Sequence, residues 1–467
     1  MHYIYKPIKN YNSYITKRFK MFKKISQTLE SSTIHAIPNI IRSDNLLIKF
    51  VWLICFICSS CICAWFILNT INTYFKYEVV SKIEIKYETP LDFPVVSICN
   101  LNPLATNEAK SFAKKTYKDD YPDFMNLEEF MIKLKLNNTN RHLFGKNLTD
   151  VIISCEFLAN KCNFDEDFEL YFDVSYGNCF RFNSGRNMKG EKVNQKQVTN
   201  TGLWNSLDLE IYIGSSIENE NLFSKKNGFN IFITNSSTSS IYGEGINIMS
   251  GTSTSIVLNK YSIIKQPFPY SECTENLKSL DSYDSECYRK LIASTGTYFY
   301  DDCVRMCFQK LISEYCGCQS AIYDYVYNES LRKCVIEKSK EKNDTYCLFD
   351  KWNYMAKNSN VLKECNCPFE CEFNGYQYST SLAEFPTKYY FNYLINKTSS
   401  IKKKHPNISF EEMSKSIAKI QIFYDDLKYT TISQEVKVGT EDLISNIGGI
   451  LGLFLGKLFT AFNCNLN

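Results

Sequence analysis

The sequence predicts an α+β membrane protein: two membrane-crossing helices flanking a large, disulfide-rich, β-dominated extracellular body. Three observations lead there. Phe50 to Ile71 is an uncharged apolar run long enough to cross a bilayer. Seven N-x-Ser/Thr sequons follow, and all of them fall between this run and the last apolar run of the chain. Fifteen of the twenty cysteines occupy the same interval, as expected for an oxidising compartment.

Residues 1–49 are basic, with Lys6, Lys9, Lys17, Arg18, Lys20, Lys23, Lys24, Arg42 and Lys49 against Glu30 and Asp44. A positive flank beside an apolar span places the N-terminus in the cytoplasm. The span, residues 50–71, lies too deep in the chain for an ordinary cleaved signal peptide. A buried core helix would show a polar face, and this run has none. Residues 72–440 then form the extracellular region. Its sequons stand at Asn137, Asn147, Asn235, Asn328, Asn343, Asn396 and Asn407.

Within that region Val79–Ile85 and Phe93–Cys99 are predicted strands, separated by Pro90 and Pro94. Lys110–Leu136 has helical spacing. Asp165, Glu166, Asp167 and Glu169 form an acidic cluster beside Cys162, either a solvated face or a cation contact. Leu207–Ile213, Phe229–Thr234 and Thr254–Leu258 are β-branched or alternating, with Gly, Ser and Asn between them, and build a β-rich core. Thr297–Glu314 is predicted helical and carries Cys303 and Cys307 one turn apart. Ser409–Lys419 is predicted helical, with Ile420–Phe423 and Leu427–Glu435 returning as strand.

The cysteines from Cys303 to Cys371 look nested: Cys303 and Cys307 at one end, Cys365, Cys367 and Cys371 at the other, and Cys316, Cys318, Cys334 and Cys347 between. An antiparallel pair of segments stapled like a ladder gives this symmetry, although spacing does not fix connectivity. Zinc is the alternative, but no histidine lies between His142 and His405 to complete a site. The odd count means that one thiol is left over or pairs between chains. A net charge of +3 with no basic stripe gives no sign of a nucleic-acid partner. The four histidines are scattered, and no Ser/His/Asp or Cys/His arrangement marks an enzyme.

The last apolar run starts at Leu443 and meets Lys457 before it reaches a full span. A lysine at mid-membrane costs roughly 2.5–3.5 kcal/mol. Residues 441–467 are therefore expected to be the start of a second span, incomplete as written, with both termini cytoplasmic.

Taken in order, these motifs resemble the degenerin/epithelial sodium channel family. Ser32-Thr33-Ile34-His35-Ala36 looks like its cytoplasmic S-T-x-H-G gating motif, and Phe93-Pro-Val-Val-Ser-Ile-Cys-Asn-Leu-Asn102 like its strand after the first span. Tyr176-Gly-Asn-Cys-Phe-Arg-Phe-Asn183, Pro269-Tyr-Ser-Glu-Cys273, Cys367-Pro-Phe-Glu-Cys371 and Ser381-Leu-Ala-Glu-Phe-Pro386 follow in family order. Gly448, Gly449, Gly452 and Gly456 look like the start of its pore helix. The resemblance implies a homo- or heterotrimer in the plasma membrane, each subunit with palm, β-ball, finger, knuckle and a disulfide-stapled thumb at about residues 295–375. It also implies the pairings Cys99–Cys179, Cys155–Cys162, Cys273–Cys371, Cys303–Cys367, Cys307–Cys365, Cys316–Cys347 and Cys318–Cys334, leaving Cys287 unassigned.

The function implied is passive, amiloride-sensitive sodium conduction opened by an extracellular stimulus (ligand, peptide or proton), with no cofactor beyond the permeant ion. Glu435, Glu441 and Asp442, preceded by Asp425 and Asp426, would gather cations at the outer mouth when repeated about a threefold axis; ordinary surface carboxylates are the alternative. The chain departs from the family pattern at Ala36, where the family has Gly, and at Asn446, where many members have an acid. At Gly456-Lys457-Leu458 a Gly/Ser-x-Ser filter is expected. The alternative function is a non-conducting subunit that assembles with complete ones and regulates them.

Overall fold

A computed structural model of the chain describes residues 36–117, 141–214, 226–235, 245–334, 344–397 and 408–457, with gaps at 104, 174, 321–322, 324 and 359, and a few positions between 21 and 28. The chain forms two compact units: Met1–Val80 with Gln434–Asn467, and Ser81–Ser433.

The first unit is helical. Leu46–Tyr74 is one helix of 29 residues, about 44 Å long at 1.5 Å per residue. Among the described residues it is the one helix long and apolar enough to cross a membrane. Asn45 caps its start, the side-chain oxygen accepting from the Leu47 N–H at 3.1 Å. Trp52, Ser59 and Cys63 are its buried residues; at spacings of seven and four they lie on one face. The short helix Ala36–Arg42 contributes Ile40 to the packing around Trp52. The helix Thr440–Leu451 runs directly into a π-helical turn, Gly452–Lys457.

The second unit is built on two sheets. The larger has the order Val79–Tyr87, Lys428–Val436, Thr252–Ile264, Ile417–Tyr424, Leu207–Tyr212, Ile152–Phe157 and Asn160–Lys161, with Glu372–Glu384 pairing along Thr252–Ile264. The smaller runs Ile246–Ile248, Phe229–Thr234, Val95–Asn100, Gly177–Phe182 and Phe168–Asp173. Val95–Asn100 and Gly177–Phe182 are buried at every position, as inner strands of the smaller sheet with both faces covered. Ile417–Tyr424 alternates buried and half-buried positions along most of its length, the pattern of a strand with one face on the core. Both sheets share one core. Phe93 joins them, its ring 5.0 Å from Phe157, 6.1 Å from Phe182 and 6.2 Å from Tyr424.

A separate helical core gathers Glu286–Thr295, Tyr300–Cys316, Asp344–Lys357 and Asn360–Cys365 around Tyr288, Met306, Ile312 and Val361. Gly296 and Gly317 end the first two helices in the left-handed region, at φ 72° and 62°.

Several elements differ from the sequence reading. The helix expected over 409–419 is only Phe410–Ser414, and strand begins at Ile417, because Ile417, Ala418 and Ile420 are core residues. Thr252–Ile264 is thirteen residues long, far beyond the five expected, since it has partners on both edges. Glu372–Glu384 was not expected as strand at all. It is mostly exposed, so the alternation of Tyr376, Tyr378, Thr380 and Leu382 with polar residues marks little buried surface, and its pairing with Thr252–Ile264 defines it. Of the helix expected over 110–136, Asn107–Tyr117 is described and the remainder lies outside the described residues.

Candidate functional site

The candidate site is where the two apolar helices of the first unit meet. A π-turn shifts the backbone pairing by one residue and disturbs the carbonyl register of the helix. Here the Phe454 carbonyl oxygen accepts from the Ser59 hydroxyl at 2.8 Å. Phe66, seven residues after Ser59 on the same face, stacks its ring on that of Phe454 with centroids 5.5 Å apart. Main chain and ring of Phe454 are thus both held by the Leu46–Tyr74 helix. Gly448 and Gly449 precede the turn and Gly452 opens it, and a Cβ at any of them would meet nothing within 4 Å beyond its own helix backbone.

Just outside these helices the chain is clasped at two points. The Lys437 N–H donates to the Glu78 carbonyl at 3.1 Å, and the Lys437 ammonium meets the Glu78 carboxylate at 2.6 Å. The hydrogen bond from Lys437, then its charge, holds the Glu78 carboxyl below the usual carboxylate range. Glu441 and Asp442 occupy the first turn of Thr440–Leu451, where carboxylates complement the helix dipole. Asp442 is partly engaged there, since its carboxylate accepts from the Gly439 N–H at 2.9 Å. Glu435 is exposed near the end of Lys428–Val436. Asp425 and Asp426 precede that strand, at the end opposite Glu435, and Asp426 is ion-paired with Lys428 at 2.7 Å. In the acidic cluster upstream, Asp167 is paired with Lys196 at 2.8 Å and Glu169 faces Arg181 at 4.0 Å.

The helical core is tied by disulfides. Cys303 is bonded to Cys367, Cys307 to Cys365, Cys316 to Cys347 and Cys318 to Cys334. Cys273–Cys371 lies beside the bridge of Cys273–Thr274 with Phe369–Glu370. Cys99–Cys179 joins two central strands, and Cys155–Cys162 closes a hairpin. Tyr300–Cys316 has no side-chain cap of its own at Phe299. Glu370 supplies one, its carboxylate accepting from the Tyr300 N–H at 3.0 Å, while the Tyr300 and Phe369 rings stack at 4.1 Å. Burial raises the Glu370 carboxyl. Cys287 is unbonded and 3% exposed, and burial pushes its thiol up to about 11. A thiol so enclosed and so weakly ionised is a poor partner for a second subunit and a poor nucleophile.

Of the other residues singled out from sequence, Ala36 begins the helix that packs on Trp52, while Ser32, Thr33 and His35 lie outside the described residues. Gly456 and Lys457 are in the backbone of the π-turn, and Leu458 lies outside the described residues. Asn147, Asn235, Asn328 and Asn396 are exposed; Asn137, Asn343 and Asn407 lie outside the described residues. Ser59, Phe66 and Lys437 carry no sequence motif. A serine within an apolar run was the one available signal for the first of them. Among the described residues no group of three or more His, Cys, Asp or Glu is placed to hold a metal ion.

The arrangement of an apolar helix, a stapled β-rich unit and a glycine-bearing second helix is matched by a family profile described as amiloride-sensitive sodium channel, over residues 28–457. The chain belongs to the amiloride-sensitive sodium channel family. It is therefore a membrane protein of an ion-channel family and not an enzyme. The chain is 26% identical to the bile acid-sensitive ion channel of Mus musculus, over 93% of this chain and 85% of that protein. It is 26% identical to acid-sensing ion channel 1 of Gallus gallus, over 91% and 80%. It is 24% identical to the FMRFamide-activated amiloride-sensitive sodium channel of Cornu aspersum, over 92% and 80%. For this channel-family chain, the Ser59–Phe454 contact falls within the matched region, as do the Glu78–Lys437 clasp and every disulfide.

Proposed function

We propose that the chain is one subunit of a trimeric plasma-membrane channel that passes sodium down its gradient when an extracellular stimulus opens it, and that amiloride blocks. The observation that carries this reading is the family match, which spans both the apolar helix and the glycine-bearing helix. Leu46–Tyr74 is the first span, and Thr440 onward begins a second that returns the chain to the cytoplasm. The β-rich unit is extracellular, its sheets forming palm and β-ball and its stapled helices the thumb. Relatives are named for bile acid, acid and a peptide, which supports a chemical stimulus at the extracellular face. Glu435, Glu441 and Asp442 gather cations at the outer mouth, and a thumb that does not deform transmits the movement. The glycines that no atom of this chain crowds leave room for the helices of neighbouring subunits.

The second reading, a regulatory subunit that does not conduct by itself, is favoured by Lys457, which stands where a small filter residue is expected. At an effective dielectric of about 20, a like charge 6 Å from a cation costs roughly 3 kcal/mol before screening. Three such lysines around an axis oppose sodium. Oocyte recordings of the chain and of Lys457→Ser test both readings. Amiloride-blocked, sodium-selective current that rises in Lys457→Ser supports conduction with Lys457 as the brake. Silence of both, with altered currents when a related subunit is co-expressed, supports the regulatory reading. No current and no effect on any co-expressed subunit overturns both.

A further inference from the structure

Within the β-rich unit a cleft of about 290 Å³ opens between a hairpin and a loop, lined by Glu156, Leu203, Trp204, Asp208 and Gln421 among others. Both walls are braced. The hairpin of Ile152–Phe157 and Asn160–Lys161 turns at Leu158 and Ala159, both in the left-handed region at φ 54° and 59°, and is stapled by Cys155–Cys162. The loop is the single turn Leu203–Asn205. It is pinned by Gly202 N–H to the Tyr424 carbonyl at 3.2 Å, by Leu158 N–H to the Ser206 carbonyl at 3.2 Å, and by the Ser206 hydroxyl to the Leu203 carbonyl at 2.6 Å.

This bracing holds Trp204 83% exposed and Leu203 54% exposed. The Trp204 ring has no aromatic or cationic partner among the described residues. The charges around it are unevenly used. Asp208 is taken, meeting the Lys419 ammonium at 2.9 Å and accepting from Gln421 at 2.9 Å. Glu156 is exposed and makes no ion pair among the described residues, although Lys161 stands opposite it in register. A rigid site therefore offers an aromatic face, an uncommitted carboxylate and an apolar rim. Those three features together recognise a cation that carries an apolar body. An anion finds little here, because the ammonium of Lys419 is engaged by Asp208.

We propose that this cleft binds a small organic ammonium ion, with its charged head between the Trp204 ring and the Glu156 carboxylate and its apolar body against Leu203. The cleft, about 290 Å³, is just under the roughly 300–1,000 Å³ of pockets that take drug-sized molecules, which limits it to a small ligand. The same chemistry is offered by a free amine and by the N-terminus of a short peptide.

The test is ligand-observed saturation-transfer NMR on the full chain in nanodiscs, with phenethylammonium and its neutral analogue 2-phenylethanol as probes. A dipeptide amide with a free N-terminal phenylalanine separates the peptide source from the free amine. The ammonium probe is expected to bind about five-fold tighter than the alcohol, with Glu156→Gln and Trp204→Ala each weakening it by about three- to five-fold and Trp204→Phe retaining most of the affinity. Unchanged melting temperatures establish that the variants fold. Equal binding of amine and alcohol, or no loss in either variant, overturns the proposal. So does a Trp204 that is shielded from oxidation by N-bromosuccinimide in the assembled protein while no probe binds, the outcome if a second copy covers the cleft. The measurement needs no current, so its failure leaves the channel reading standing.

Discussion

The Ser59 hydroxyl donates to the main-chain carbonyl of Phe454 across 395 residues of sequence, at 2.8 Å. A serine in an apolar helix more often bonds back to a carbonyl one turn earlier on its own helix. Here it crosses to the second helix, at the turn whose pairing register has shifted. Interhelical hydrogen bonds of this kind are worth about 0.6 kcal/mol, with an upper range near 1.7 kcal/mol. Ser59→Ala is expected to destabilise the chain in detergent micelles by about that amount, and Ser59→Thr to recover most of it by restoring the hydroxyl. Equal losses in both variants, read from thermal unfolding, would assign the effect to packing and not to the hydrogen bond.

The Cys307–Cys365 bond joins residues at a sequence separation of 58, inside the helical core. Breaking it is expected to cost about 2–4 kcal/mol. Cys307→Ser and Cys365→Ser should each show that loss, and the double variant should be little worse than either, because one bond is removed in all three. Additive losses would mean that the two cysteines act separately. Cys287→Ser is expected to be mild in the same assay, and iodoacetamide should leave Cys287 unmodified in the folded protein.

Two buried or clustered carboxylates predict opposite responses to pH. Glu210 is 3% exposed, faces Lys419 on the neighbouring strand and accepts from Tyr390 on Lys388–Lys397, and burial is the main cause that raises its carboxyl. A raised folded-state value gives stability that is present below the ordinary 4.5 and lost as pH rises through the folded value. Glu286 receives the Lys310 ammonium at 2.7 Å and the Tyr327 hydroxyl at 2.6 Å, which together lower its carboxyl to about 2. Its contribution is present above 4.5 and is lost as pH falls through about 2. Glu210→Gln should therefore raise the unfolding temperature at pH 7.5, with the gain fading in acid. Glu286→Gln should lower it at pH 7.5, and the two curves should meet near pH 2. Parallel pH curves for wild type and variants would contradict both assignments.

Four sequons are exposed, at Asn147, Asn235, Asn328 and Asn396. Asn147 precedes the helix Leu148–Val151 but makes no capping hydrogen bond, so its amide is free to carry a glycan. The Asn328 side chain accepts from the hydroxyl of Ser330, the third residue of its own sequon, at 2.7 Å. If the β-rich unit faces the lumen of the secretory pathway, glycosidase treatment will lower the apparent mass, and Asn147→Gln will remove one step of that shift. A mass unchanged by glycosidase would remove the sequons as support for the extracellular placement of this unit.

Much of this protein is local and therefore legible in the chain. A run of uncharged residues from Phe50 to Ile71 declares an apolar helix whatever surrounds it, because its composition alone sets the transfer free energy. Val95–Asn100 and Phe229–Thr234 declare strands by β-branched and aromatic content, and the motifs in order declare the family. The tertiary structure decided what depends on two distant segments arriving together. Glu372–Glu384 is strand because Thr252–Ile264 offers it an edge, and the short alternation of Tyr376, Tyr378 and Leu382 with polar residues does not by itself set its thirteen-residue length. Cys287 is inert because the helical core encloses it. Ser59 meets Phe454, and Glu78 meets Lys437 across 359 residues, only because the two ends of the chain are folded into one unit. Such contacts leave no pattern in sequence, since one hydroxyl or one carboxylate is chemically ordinary until a partner is placed within 3 Å of it.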